Sequence, residues 1–320
     1  MSIFLYILGN NILPVFIMVG LGFLLSKRFS LNLFTLSKFN FYLFIPCFIF
    51  FNLYTASLSV TLLKILFFGL AYMIANDLLA RVIAKIRKYD IGMTSAFKNS
   101  IMFNNAGNIG ISLITLIFSH APYVIDGETP YLNQALTAQV IILTFMNITM
   151  NTIGFYNAGK AKKDWKESVD QILTMPSIYA ILLAIVLKYF MVDITATPLW
   201  PTLEYIKDGL VPMALFTLGV QLSQTEFDFR NIDVNIAVFT RLIIGPLLAL
   251  AGIKLFGFSG VVAQTIFISY SVPTAVNTAL IAIECNNYEN FSSQQVMVST
   301  IFGAITLTSA IYMAGILFPI

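Results

Sequence analysis

Charged residues are scarce in this sequence of 320 residues: Asp, Glu, Lys and Arg make up 10% of it, against 58% hydrophobic residues. A soluble domain carries roughly 25% charged residues, because its surface faces water. The shortage excludes an ordinary soluble domain and requires a bilayer around an apolar exterior. There, every backbone polar group must be bonded within helices or a closed barrel. Unalternating apolar runs of about 20 residues favour helices over barrel strands.

Reactive side chains are also scarce. The sequence has one histidine, His120, and it contains no HExxH, GxSxG or paired intramembrane Asp motif, so we predict neither an enzyme nor a metal site. Cys47 and Cys285 lie in or beside apolar segments and are interpreted as packing residues. The net charge of +3 is spread over short loops, which argues against nucleic-acid binding. We expect no cofactor.

Ten apolar segments predict ten transmembrane helices, in two sets of five separated by the polar segment 159–168, which we interpret as a cytoplasmic linker. The first repeat, residues 1–158, contains Leu5–Leu25, Leu33–Leu53, Val60–Ile83, Met93–Phe118 and Gln134–Ala158. The second repeat, residues 169–320, contains Val169–Phe190, Leu203–Gln221, Val234–Phe256, Val261–Ile283 and Val296–Phe318.

Basic residues are concentrated in alternate loops, those after the first, third, fifth and seventh spans. They are Lys27, Arg28, Arg81, Lys85, Arg87, Lys88, Lys160, Lys162, Lys163, Lys166 and Arg230. Cytoplasmic loops carry an excess of Lys and Arg, so these loops are predicted to be cytoplasmic and both termini outside. We expect a multi-pass protein of the cell membrane, and the short central loop favours a bacterial inner membrane.

Helix-breaking residues recur at equivalent spans of the two halves. The offset is 166 positions for Pro46 and Pro212, 166 for Gly107 and Pro273, and 162 for Pro14 and Pro176. Because each half has five spans, the second half enters from the opposite side. The predicted fold class is therefore an all-α polytopic membrane protein of about ten helices, built as two inverted five-helix repeats with broken fourth and ninth helices. This arrangement is typical of secondary transporters.

The fourth and ninth spans hold the most polar intramembrane stretches, FNNAGNIGIS at 103–112 and SYSVPTAVN at 269–277. Asn and Gly are poor helix formers, and Pro273 removes a backbone donor, so we predict breaks near the midplane. The N-terminus of a half-helix favours an anion. The predicted substrate-binding residues here are Asn104, Asn105, Gly107, Asn108, Gly110, Ser271, Pro273, Thr274 and Asn277. The alternative is a pair of kinks in which Asn bonds neighbouring helices.

Two intramembrane charges are further candidates, because such residues are functional candidates by default. Arg241 lies about 12 Å into the eighth span, at 1.5 Å per residue, and is predicted to pair a substrate carboxylate. Its alternatives are a structural ion pair or contact with backbone carbonyls. Asp77 precedes Arg81 by four residues, so an ion pair between them is the first interpretation and a role in ion coupling the second.

The other polar side chains in the spans have structural interpretations. Lys38, Lys98 and Lys207 lie near span ends and are expected to extend their ammonium groups to the interface. Asn147 and Asn151 share one face of the fifth span, where they either line the same cavity as secondary candidates or bond across helices.

Short motifs in a fixed order give the chain a family resemblance along essentially its whole length. They are FIPC at 44–47, NNAGNIG at 104–110, PSI at 176–178, VPMALFTLG at 211–219, SVPTAVN at 271–277 and VST at 298–300. With these motifs the chain resembles the auxin efflux carrier family, which includes bacterial malonate and malate permeases and plant PIN-type auxin carriers.

The resemblance implies a fold and a site. The fourth and ninth spans would unwind and cross at the substrate. The first, second, sixth and seventh would form a scaffold against which the other six move, as in an elevator. The family's site would correspond to Asn105, Gly107, Asn108, Pro273, Thr274 and Asn277. The family commonly has Gly-x-Pro where this chain has Gly110-Ile-Ser112, which predicts a less sharply bent first crossover.

The predicted function is thus secondary active transport of a small organic anion, a mono- or dicarboxylate such as malate or malonate or an auxin-like acid. The expected partners are that anion, the bilayer, and protons or Na⁺ as coupling ions, and a homodimer is compatible with the sequence. One rival is a membrane receptor or regulator with a transporter fold, although the short loops offer no signalling domain. The other is a carrier of a neutral or cationic solute, which a ligand beside Asp77 would favour.

Overall fold

A computed structural model describes residues 3–55, 60–159, 176–224 and 230–320, and within these ranges the chain is helical with no strand. The described helices are α1 Leu5–Arg28, α2 Leu33–Thr55, α3 Val60–Arg87, α4 Ile91–Met102, α5 Ala106–Phe118, α6 Leu132–Ala158, α7 Pro176–Tyr189, α8 Leu199–Asp208, α9 Leu210–Ser223, α10 Ile232–Phe256, α11 Gly260–Ser271, α12 Asn277–Glu284 and α13 Glu289–Leu317. The predicted linker after Gly159 and the start of the sixth span lie outside the described residues.

Six of these helices are long and apolar enough to cross a membrane: α1, α2, α3, α6, α10 and α13. Large apolar side chains such as Leu24, Phe67 and Leu255 are exposed on their outer faces. A surface of this kind is stable only where lipid covers it. The chain is therefore a multi-pass α-helical membrane protein, as the composition predicts.

The fourth and ninth predicted spans are each interrupted. Three non-helical residues, 103–105, separate α4 from α5, and five, 272–276, separate α11 from α12. Pro273 lies in the second break as predicted, whereas Gly107 lies inside α5. The Asn105 side chain explains the difference, because its Oδ1 accepts from the backbone N–H of Asn108 at 3.2 Å and so makes Asn105 the N-cap. Asn is among the strongest N-cap residues.

Three other prolines within the spans do not end their helices. Pro14, Pro46 and Pro246 each follow closely after a π-helical turn, and the helix continues through all three. The proline ring clashes with the carbonyl four residues earlier, and the wider π turn removes that clash. Pro14 and Pro46, which recur as helix-breaking residues at equivalent spans, therefore leave their helices continuous.

The seventh predicted span, Leu203–Gln221, is two helices in the structure, α8 and α9, which meet at Gly209. Pro212 stands in the first turn of α9, where its missing N–H costs nothing. The polar α8 precedes it. The start of α9 is therefore set by Pro212, and the predicted boundary is shifted.

The helices α1 and α9 pack with their backbones in contact. A Cβ atom on Gly219 would lie 1.9 Å from the carbonyl oxygen of Val19, and one on Gly22 would lie 2.2 Å from that of Phe216. Small residues allow this close approach of membrane helices. The helix α2 packs against α7 and α8.

Candidate functional site

A small central cavity of about 40 Å³ lies where α2, α5, α6, α9 and α12 meet. Its lining includes six of the predicted site residues, namely Asn104, Asn105, Gly107, Asn108, Asn147 and Asn277. They come from both crossovers and from α6. The stretches that the sequence singled out in the fourth and ninth spans are therefore brought together at one place.

The two breaks are joined by backbone hydrogen bonds. The N–H of Asn105 donates to the carbonyl of Pro273 at 2.9 Å, and the N–H of Ala275 donates to that of Phe103 at 2.9 Å. Asn104 and Thr274 thus face each other as an isolated antiparallel bridge. Each break thereby satisfies backbone groups that the interrupted helix leaves free.

Side chains of the breaks bond the helix ends opposite them. Nδ2 of Asn104 donates to the carbonyl of Ser269 in α11 at 2.9 Å, and Oγ1 of Thr274 donates to that of Ser100 in α4 at 2.7 Å. Both carbonyls belong to the last turn of a half-helix, where no helical partner remains. Asn104 and Thr274 therefore hold the crossover together, which is the interhelical bonding that the sequence left as an alternative.

The N-terminal ends of the half-helices α5 and α12 border the cavity, which is lined by Ala106, Gly107, Val276 and Asn277. N–H groups in the first turn have no acceptor within their helix and carry the positive end of its dipole. Two such ends at one cavity favour a ligand that accepts hydrogen bonds and carries negative charge.

Three buried amide atoms at the cavity lack a partner: Nδ2 of Asn105, Oδ1 of Asn104 and Oδ1 of Asn40. Which amide atom is nitrogen and which is oxygen follows from the hydrogen bond of the other atom in the same side chain. Asn105 Oδ1 accepts from an N–H, and Asn104 Nδ2 donates to a carbonyl. Asn40 Nδ2 donates to Thr217 Oγ1 at 3.0 Å. A buried unpaired polar atom costs about 1–3 kcal/mol. A polar ligand in the cavity would satisfy them.

Arg241 is fully buried beside the crossover and does not line the central cavity. Its Nη2 donates to the carbonyls of Tyr270 at 2.8 Å and Val272 at 2.9 Å, and its Nε donates to Val272 at 3.0 Å. Its Nη1 donates to the Ile101 carbonyl at 3.1 Å and the Tyr72 hydroxyl at 3.2 Å. All five N–H donors of a guanidinium are thus in use.

The carbonyls that Arg241 contacts belong to the C-terminal ends of α4 and α11. These are the negative ends of the half-helix dipoles. The contact with backbone carbonyls, which was the alternative interpretation of Arg241, is the geometry observed. In this conformation no donor of Arg241 remains for a substrate carboxylate.

The remaining predicted residues of the crossovers lie behind the cavity wall. Oγ of Ser271 donates to the Phe267 carbonyl at 2.7 Å within α11. Gly110 faces the Gln139 side chain, and a Cβ there would lie 2.6 Å from Gln139 Nε2. That amide donates to the Ala106 carbonyl at 2.8 Å. Pro273 packs on Gly303 of α13. These residues shape the crossover without bordering the cavity.

With the geometry established, comparison with known proteins places the chain in a family. The family model described as "Membrane transport protein" matches residues 8–311. The chain belongs to this membrane transport family. It is the auxin efflux carrier family that the motifs indicated, and membership makes the chain a membrane transporter and not an enzyme.

Two relatives of the transporter have been found. A protein named "Uncharacterized transporter" from Methanothermobacter thermautotrophicus is 23% identical over 305 residues, which cover 93% of this chain and 95% of the relative. A protein named "Putative malonate transporter" from Rhizobium meliloti is 25% identical over 117 residues, 36% of this chain and 37% of the relative.

Asp77 of the transporter accepts from two cations. Its Oδ2 lies 2.6 Å from Nε of Arg81, and its Oδ1 lies 2.5 Å from Nζ of Lys98. The predicted ion pair with Arg81 is confirmed. Lys98, however, was expected to reach the interface and is buried, with 3% of its surface exposed. The expectation is wrong because Asp77 offers the ammonium a partner inside the protein.

Other residues of the transporter's cavity were missed by the sequence analysis. Asn40 on α2 and Thr217 and Gln221 on α9 form the wall opposite the crossovers. Asn40 opens a π-helical turn, and π turns also lie at Ala106–Gly110, Met150–Gly154 and Thr240–Ile244. Such turns are frequent at functional sites. A buried Asn in an apolar span was the available signal.

Asn147 and Asn151 both line a larger cavity beside the central one, as one interpretation predicted, and they differ in their relation to the central cavity. Asn147 also borders the central cavity. Asn151 lies one turn further along α6, and its Nδ2 donates to the backbone carbonyl of Asn147 at 2.8 Å. It is absent from the lining of the central cavity.

Proposed function

We propose that the protein is a secondary active transporter of a small organic anion, a mono- or dicarboxylate such as malate or malonate or an auxin-like acid. The observation that carries this proposal is the meeting of two half-helix N-termini and the unpaired Nδ2 of buried Asn105 at one cavity. These are hydrogen-bond donors and positive dipole ends, and a carboxylate matches both. The name of the Rhizobium meliloti relative points to the same substrate class.

Arg241 strengthens the preference of the cavity for an anion, although it does not line the cavity. Its positive charge lies at the C-terminal ends of α4 and α11, where it offsets the negative ends of their dipoles. The field at the cavity is then dominated by the positive ends of α5 and α12. In the proposed mechanism Arg241 positions the crossover, and the backbone N–H groups and Asn105 contact the carboxylate.

The proposed transport step is a movement of the crossovers against a scaffold. The central cavity has one wall of crossover residues and one of Asn40 and Thr217 from α2 and α9. A displacement along this boundary would expose the substrate to either side in turn, in an elevator-type alternation. The backbone contact of α1 with α9 supports a rigid scaffold that includes the first and seventh spans.

The proposal includes the number of spans, their arrangement in two repeats and the coupling ion. Ten spans form two inverted repeats, residues 1–158 and 169–320, joined by the cytoplasmic linker 159–168, and both termini lie outside. Protons or Na⁺ supply the driving force, with Asp77 as the candidate coupling residue, and the proposal is compatible with a homodimer. The paired breaks, related by backbone bonds in both directions, support the inverted repeat.

The direct test is uptake of labelled mono- and dicarboxylates by the purified protein in proteoliposomes. We expect saturable flux for at least one of them. Asn105→Asp places a negative charge against the carboxylate and should reduce uptake about tenfold or more, since 1.4 kcal/mol already corresponds to tenfold. Asn133→Asp, the same change at the exposed start of α6, should leave uptake unchanged. The absence of saturable flux for a broad panel, or full activity of Asn105→Asp, would overturn the proposal.

A neutral polar solute is the second candidate, because two unpaired atoms at the cavity, Oδ1 of Asn104 and Oδ1 of Asn40, are acceptors. They would bind the hydroxyl groups of an uncharged compound. Competition experiments distinguish an organic anion from a neutral solute. If unlabelled polyols or amides inhibit uptake and carboxylates do not, the protein carries neutral solutes.

A further inference from the structure

A second cavity, of about 370 Å³, lies beside the central one, between α2, α6, α7 and α12. We call it the vestibule. Ser37, Phe41, Asn147 and Asn277 border both cavities. A solute that leaves the central cavity across these side chains enters the vestibule. The vestibule therefore lies on a route to the proposed binding site.

Lys38 supplies the positive charge of the vestibule lining. Its Nζ lies 5.0 Å from the ring centre of Phe34 and 4.8 Å from that of Tyr42. Aromatic faces attract an ammonium group without neutralising it. Its charge is thus held on the vestibule wall and remains available to an anion.

Some cations in the described part of the chain have a carboxylate partner, and Lys38 does not. Lys98, Lys207 and Arg87 each have a carboxylate within 2.8 Å, whereas Lys38 forms no ion pair with any described residue. Glu284 also borders the vestibule but does not pair with Lys38, so an anionic solute can approach the Lys38 ammonium.

We propose that Lys38 and Asn147 form a capture site for the carboxylate of the substrate, from which it passes into the central cavity. This rests on the proposed function. Asn147 borders both cavities, so its amide can contact the anion before and after transfer. Phe41 and Phe155 provide apolar wall for the carbon skeleton. The ligand class is a small organic acid bearing at least one ionised carboxyl group.

The test measures transport kinetics separately from each face, in vesicles of defined orientation. Lys38→Gln should raise KM at the face of the vestibule about threefold to tenfold, in the range expected for a charge in a cleft, and leave KM at the other face unchanged. Lys38→Arg should retain the wild-type KM. Added salt should shrink the difference between Lys38→Gln and wild type.

Lys27→Gln is the matched control. Lys27 also lies over an aromatic ring, 5.6 Å from the centre of Phe23, but it does not line the vestibule. Equal KM for Lys38→Gln and wild type at the vestibule face, or an equal change at both faces, would overturn the capture site while saturable wild-type flux upheld the proposed function. A wild-type protein without flux of any carboxylate would overturn both.

Discussion

Arg241 illustrates how a charge is kept inside a membrane protein. An isolated guanidinium in hydrocarbon would be costly, and here five bonds to carbonyls and a hydroxyl replace its hydration. In return, helix ends that would otherwise be unsatisfied receive donors. The position of the charge, at the C-terminal ends and not at the cavity, orients the field of the crossover.

Replacing Arg241 by Gln should therefore destabilise the fold as well as reduce transport. The carbonyls of α4 and α11 would lose their donors, and each buried acceptor left unpaired costs about 1–3 kcal/mol. Thermal unfolding in detergent, measured beside proteoliposome uptake, checks this. Arg28→Gln at the exposed end of α1 is the control. An unfolding midpoint equal to that of wild type would contradict the role assigned to Arg241.

The site residues were predictable from their unusual chemistry, and their exact roles were not. Asn and Pro in apolar spans marked both crossovers. A buried polar group without a partner is costly in lipid, so such residues indicate a local structure that satisfies them. The sequence could not place Lys98 beside Asp77, since those residues meet only through the packing of α3 on α4. The same limit applies to Asn40, whose partner Thr217 is 177 residues away.

At the scale of the helices, the contact of α1 with α9 is one of backbone against backbone. Gly22 and Gly219 bring backbone atoms of one helix against those of the other, so no side-chain rotation can make room for a Cβ. Membrane helices gain stability chiefly from such close packing. A rigid pair of this kind is what a scaffold needs.

Gly219→Ala should lower the unfolding midpoint in detergent, with a cost of about 1–3 kcal/mol for overpacking. Its Cβ would lie 1.9 Å from Val19 O, so the two helices must separate. Gly20→Ala in α1 is the matched control, because a Cβ there meets nothing within 4 Å. A Gly219→Ala protein as stable as the control would show that the two helices separate without cost.

Hydropathy predicted where the long helices lie, but it did not predict their irregular turns. The apolar runs predicted α1, α2, α3, α6, α10 and α13, because lipid imposes one length on a spanning helix. The π turns were not foreseen. A proline in the sequence indicates strain in the helix, but whether the strain is relieved by a break, as at Pro273, or by a π turn, as at Pro46, depends on the partners of the freed groups.

At the scale of the whole molecule, the orientation in the membrane follows from the distribution of charge. The basic ends of α1 and α3 should face the cytoplasm and the loop between α5 and α6, which carries Asp126 and Glu128, should face outward. The vestibule lies at the same end as Lys27 and Arg28 and would then open to the cytoplasm.

Cysteine labelling tests this orientation. In a protein lacking Cys47 and Cys285, a single cysteine at Glu128 should react with a membrane-impermeant maleimide on intact cells, and one at Lys85 should react only after the cells are opened. Both positions are exposed. The reverse pattern would invert the proposed topology without affecting the site.

The partners of Arg241 also set an order of events during synthesis. The Tyr72 hydroxyl and the Ile101 carbonyl belong to helices made before α10, whereas Tyr270 and Val272 follow it. Two bonds can form as α10 enters the bilayer, and the other three must wait for α11. If only the second half were synthesised, Arg241 would enter the bilayer without Tyr72 and Ile101, its partners in the first half. The two halves therefore depend on each other from the time α10 is inserted.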